Sequence, residues 1–90
     1  MEYYIVMNEW NYPDGSGREF IGDFDSCLDA EYASKSECAK ELDSFDALFG
    51  DHETLKGFDS YSEPIGYSLK SSLKEFDEFY FKSSIIKREL

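Results

Sequence analysis

The chain is poor in the residues that mark common chemistries. Ninety residues contain one histidine, two cysteines, two prolines and only nine bases, against twenty acids, for a formal net charge of −11. Two cysteines and one histidine do not build a tetrahedral zinc site. The lone His52 would need Cys27 or Cys38 as its nucleophile, and both cysteines read as core residues, so an exposed loop histidine is the better reading. The longest apolar run, Tyr3 to Met7, is far below the ~20 residues of a membrane span. Met1 leads straight into a polar-flanked strand instead of a signal peptide. Bare nucleic acid and anionic membrane are poor partners for so acidic a chain, because like charges repel. With only two arginines, cradling an anionic nucleotide is also disfavoured. No catalytic residue and no cofactor is assigned, and an enzyme is not expected.

What is present is aromatic surface: eight Phe, seven Tyr and one Trp, enough large rings to expect a folded domain despite the charge. The length fits one domain over residues 1–90. The charge is uneven. Residues 1–63 hold 16 acids and four bases, a net of −12, and residues 64–90 hold four acids and five bases, a net of +1.

The segment from Asp23 to Gly50 organises the chain. Cys27, Ala30, Ser34, Cys38, Leu42, Phe45 and Phe49 recur every three or four positions, which predicts a long helix with one apolar or small-residue face. Ser26 fits the N-cap and Gly50 a left-handed C-terminal position. A second cap, Ser34 with Glu37, leaves open a short turn followed by a helix from 35. On one helix the two cysteines are separated by ~16 Å of rise, too far for a disulfide, so free, mostly buried thiols and a reducing compartment, the cytoplasm, are expected.

Glu2 to Trp10 reads as a strand with both faces partly apolar, so it is either central or presents its second face for binding. Asn11 to Gly17 is turn chemistry. Arg18 to Phe24 returns as a second strand, with Phe20, Gly22 and Phe24 on one side. Asp51 to Glu63 shows no period and reads as an ordered loop anchored by Leu55, Phe58 and Tyr61. Pro64 to Lys70 alternates as a half-buried strand. The tail is ambiguous between a helix, with Ser72 and Glu75 as a capping box, and a strand from about Glu78 to Lys87, which the FYF and SII triplets favour. The expected fold is α+β: a four-stranded, largely antiparallel sheet in the order β-β-α-β-β along the chain, with one long helix on a face.

Two windows are purely acidic: Glu19, Asp23, Asp25, Asp29 and Glu31, and then Glu41, Asp43, Asp46, Asp51 and Glu53. Asp23, Asp25, Asp29 and Glu31 do not match a calcium loop, and read as acids favoured by a helix N-terminus. In the second window a helix would set five charges within about 20 Å, comparable with one charge per ~3.4 Å along a DNA strand. The candidate partner-binding residues are therefore Asp23, Asp25, Asp29, Glu31, Glu41, Asp43, Asp46, Asp51 and Glu53. Trp10 and Tyr12 at the hairpin end are candidate aromatic anchors.

In its small size, acidity and aromatic richness the chain resembles the small phage-encoded proteins that disarm host defences, including anti-CRISPR proteins and DNA mimics. Its opening third, YYIVMNEWNYPDGSGREFIGDFDS, looks like small phage proteins that begin with a hairpin followed by a helix. That stretch carries no functional motif, so no residue role transfers. The resemblance implies an inhibitor whose partner is a basic nucleic-acid-binding protein, such as a CRISPR effector. The alternative is a housekeeping or structural interaction domain whose acidity only keeps it dissolved.

Overall fold

A computed structural model describes residues 1–58 and 64–89, with Phe58 and Pro64 described by backbone alone. In chain order the elements are β1 (Glu2–Tyr12), β2 (Gly15–Phe24), α1 (Cys27–Phe49), β3 (His52–Phe58), β4 (Pro64–Ser71), a 3-10 turn at Lys74–Phe76, and β5 (Tyr80–Glu89). The strands form one antiparallel sheet in the order β2-β1-β5-β4-β3, and α1 packs across one face.

The α+β reading holds, but the sheet has five strands instead of four. The additional strand is β3, where the sequence alone reads as a loop. HETLKGF has no apolar alternation because β3 is an edge strand, formed by its antiparallel pairing with β4. Leu55 is no core anchor, since it is 48% exposed on the outer face. The other two expected anchors, the Phe58 side chain and Tyr61, lie outside the described residues. The ambiguous tail is a strand, and Phe81, Ser83 and Ile85 are its buried face.

The helix is continuous, so the second cap at Ser34 is unused. Ser26 accepts the Asp29 N–H at its start, and Gly50 ends it with φ 76° and an N–H donated to the Asp46 carbonyl. Ala30, Ser34, Cys38, Phe45 and Phe49 are its buried stripe. Small residues in the first half bring the helix axis close to the strands. There the Ser34 hydroxyl bridges two of them, accepting the Tyr67 N–H of β4 at 3.1 Å and donating to the Ser83 carbonyl of β5 at 2.7 Å. In the second half Phe45 and Phe49 fill a wider gap, with Cys38, Leu69 and Phe81 completing the cluster.

In β2 the register shifts. Val6 pairs with Gly22 but Met7 pairs with Phe20, so Ile21 is the extra residue of a β-bulge. The alternation read from the sequence grouped Phe20 with Gly22 and Phe24. The bulge instead turns Phe20 to the face away from the helix, where it is 57% exposed.

Candidate interaction surface

Along α1, Ala30 packs with Val6, Glu37 meets Asn8 and Glu41 meets Tyr12, so the helix follows β1 toward the β1–β2 turn. The helix begins beside the end of β2 and finishes beside the β1–β2 turn. At 23 residues it is roughly 34 Å long. Asp23, Asp25 and Asp29 of the first window therefore stand at the opposite end from Asp43 and Asp51 of the second, whereas Glu19 lies beside Lys40 and Glu41, so the two windows do not form one track. Asp25 and Asp29 are exposed at the helix start, and Asp23 is exposed on the outer face of the sheet. Glu31 is occupied. It takes an ion pair from Lys56 and a hydrogen bond from the Tyr67 hydroxyl, and Lys56 above all holds its carboxyl below the usual range.

The other end is more acidic than the sequence suggested. Phe49 is the reason. Its ring lies 5.5 Å from Tyr12, 5.6 Å from Phe76 and 5.2 Å from Phe79, centroid to centroid, so the connection from 72 to 79 is folded over the helix C-terminus. The Ser71 hydroxyl donates to the Phe49 carbonyl, the Ser72 N–H to that of Asp51, and the Asn11 amide to that of Glu78. Glu75, Asp77 and Glu78, far from the second window in sequence, thereby join Asp43, Asp51 and Glu53 at one pole, with Asp14 in the neighbouring turn. All seven are exposed, and none has an ion pair among the described residues. Lys74 adjoins Glu75, Lys70 is the cross-strand neighbour of Glu53, and Lys40 stands three residues before Asp43.

The local electrostatics run against helix stability. A helix C-terminus carries about −0.5 elementary charge and favours a base, each exposed charge counting on the order of 0.3–1 kcal/mol. The last turn of α1 has no base, and its Asp46 carboxylate lies within hydrogen-bond reach of His52, whose Nδ1 is 2.7 Å away.

Two of the expected contact groups are used internally. Tyr12 is half-buried against Phe45 and Phe49 and donates its hydroxyl to Glu41 at 3.1 Å; burial first, and then the Glu41 carboxylate, raise its pKa. Trp10 is half-buried too, its indole lying over Gly17, where an added Cβ would come within 2.6 Å of the ring. Among the described residues these packing contacts fall against the helix and the hairpin. Glu37 is likewise engaged, by Asn8 at 3.0 Å and Lys40 at 2.7 Å. Burial works to raise its pKa, but these two bonds outweigh it and hold the carboxyl low.

Sequence reasoning missed Asp14, Glu75, Asp77 and Glu78, because only the tertiary packing of Phe76 and Phe79 joins them to the helix end. The second face that the sequence leaves open for β1 is the outer face of the sheet, where Tyr3, Ile5 and Met7 form an apolar set that no helix covers. Among the described residues no group of His, Cys, Asp and Glu is placed to hold a metal, and no helix is long and apolar enough to cross a membrane. Neither cysteine is in a disulfide; Cys38 is buried and Cys27 half-buried, and burial pushes the Cys38 thiol up to about 11. No family model, curated protein or solved structure matches the chain.

Proposed function

We propose that this is a non-catalytic binding protein whose acidic pole, at the C-terminal end of α1, docks on a basic nucleic-acid-binding surface of a partner protein and blocks substrate by occupancy. The observation that carries the reading is the concentration of seven exposed, unpaired carboxylates around a helix C-terminus without a base in its last turn. That arrangement costs folding stability, and a partner's lysines and arginines would recover the loss on binding. In its narrower form, which follows the resemblance, the partner is a host defence effector such as a CRISPR nuclease and the protein is a phage-type inhibitor.

The competing reading is a solubilising surface on a housekeeping domain. The engagement of Glu31, Glu37, Glu41 and Asp46 inside the molecule favours it, since those acids have structural work. The two readings separate in a capture experiment from host lysate followed by competition. The inhibitor reading expects a basic nucleic-acid-binding protein that releases labelled DNA or RNA as this protein is added, with binding that weakens steeply as salt rises. Capture of nothing, or of proteins that hold nucleic acid and this protein together, overturns it.

A further inference from the structure

The geometry points to the uncovered face of the sheet as a self-association surface, on which two copies pack face to face about a two-fold axis running along β5. Cross-strand register puts whole rows of side chains on that face. One row runs Phe20, Met7, Ser84, Gly66 and Gly57, from β2 through β1, β5 and β4 to β3. It is a ridge on one side of β5, built by Phe20 and Met7, and a trough on the other, where Gly66 and Gly57 are direct partners. A hollow of about 610 Å³ opens over this trough, with Leu55, Ile65 and Lys82 in its walls. Gly66 has φ 125°, and an added Cβ would run into the Ser83 carbonyl, so the trough floor cannot acquire a side chain cheaply.

Ridge and trough lie at equal distances from the central strand, on the same row. Rotation by half a turn about an axis along β5 lays β1 over β4 of the second copy and β2 over its β3. Met7 then meets the gap at Gly66, Phe20 the gap at Gly57, and Ile86 meets its own counterpart. A two-fold axis perpendicular to the strands would set β1 on β1 and lose this fit. Such a contact is self-complementary and closes at two copies.

Charge selects the same occupant. The outer face carries Arg18, Lys70, Lys82 and Arg88 against Glu9, Asp23 and Glu53, a net of +1, which leaves −12 for the rest of the chain. It is a face on which two strongly acidic copies can approach without strong repulsion. Lys82 and Arg88 each approach their counterparts near the axis; Glu9 is the cross-strand neighbour of Lys82 in each copy, and Arg88 lies at the end of β5. The area is sufficient. Five strands at ~4.8 Å spacing and about eight residues at ~3.3 Å give roughly 600 Å² per copy, or roughly 1,200 Å² in total, the lower bound of stable interfaces.

The rotation preserves the direction of the strands, so the acidic poles of both copies point the same way. The dimer presents a two-lobed acidic end, and the repulsion between its lobes makes the association stronger at moderate salt than at low salt. Self-association does not rest on the partner proposed above.

The test is sedimentation equilibrium of the full chain with two cysteine cross-linking variants beside it. The wild type is expected at twice the chain mass of 10.4 kDa. Phe20→Lys, at an exposed position the monomer does not need, is expected to weaken the association ~10-fold or more. Ile86→Cys is expected to give a covalent dimer on mild oxidation, above the wild-type background of Cys27 and Cys38, whereas Ala47→Cys on the outer side of the helix gives none. A wild type that stays at 10.4 kDa at submillimolar concentration overturns the proposal. So does growth beyond a dimer, association insensitive to Phe20→Lys in a variant that circular dichroism shows folded, or cross-linking through Ala47→Cys in place of Ile86→Cys.

Discussion

Replacing Ser34 by alanine removes one oxygen from a fully buried site, and the fold should respond far more strongly than that suggests. The hydroxyl accepts the Tyr67 N–H and donates to the Ser83 carbonyl, and those residues are cross-strand partners in β4 and β5. Alanine leaves both backbone groups without this partner in a place water does not reach. An unsatisfied buried group costs about 1–3 kcal/mol, so two together imply roughly 2–6 kcal/mol. In a domain of this size each kcal/mol lowers the melting temperature by about 4–8 °C, so even the lower end implies a fall of roughly 8–16 °C. Thermal unfolding followed by circular dichroism measures it, and amide hydrogen exchange supplies a local readout, because the Tyr67 N–H should lose protection before its neighbours. A loss below about 0.5 kcal/mol, the range of ordinary surface changes, would mean that the two strands close on each other without the hydroxyl. The bridge would then carry no energetic weight.

Three further outcomes follow from the same structure. Native-state thiol labelling should modify Cys27 well before Cys38, which is buried and whose thiol is pushed up to about 11; equal rapid labelling of both would contradict the packing of the helix. Glu31 has its pKa lowered by Lys56, so its stabilisation is present above the ordinary carboxylate range and is lost as pH falls through the lowered value. Glu31→Gln should therefore melt below wild type at neutral pH and approach it in acid, and a gap that widens in acid would refute this. Moderate salt should raise the melting temperature by screening repulsion among the acids, and a fall would mean that ion pairs outweigh repulsion.

The parts of the fold legible in the sequence were those where a periodic pattern meets one partner surface. The α1 stripe from Ala30 to Phe49, its Ser26 cap and its Gly50 stop are of this kind, as is the buried alternation of Phe81, Ser83 and Ile85. Legibility failed where pairing, not burial, makes the structure. β3 is held by its neighbour and needs no apolar period. The bulge at Ile21 is invisible to an alternation rule, which is why Phe20 was placed on the wrong face. The candidate site was legible as charge but not as place. Helix length separates Asp23, Asp25 and Asp29 from Asp43 and Asp51, and the stacking of Phe79 on Phe49 imports Glu75, Asp77 and Glu78 from residues 64–90, whose net charge is +1. Glu75, Asp77 and Glu78 are for that reason part of the pole.

The central claim is that position at the pole, and not total charge, governs recognition of a basic partner. Two triple variants test it most directly, because each changes the net charge equally: Asp43, Asp51 and Asp77 to lysine at the pole, and Asp23, Asp25 and Asp29 to lysine at the far end. Both are titrated against a labelled arginine-rich peptide by fluorescence anisotropy at low and moderate salt, with circular dichroism confirming that each is folded. The account predicts that the pole variant loses binding ~10-fold or more and loses most of the salt dependence, while the far-end variant stays within about threefold of wild type. Equal losses from the two variants would contradict it and leave a diffuse acidic surface.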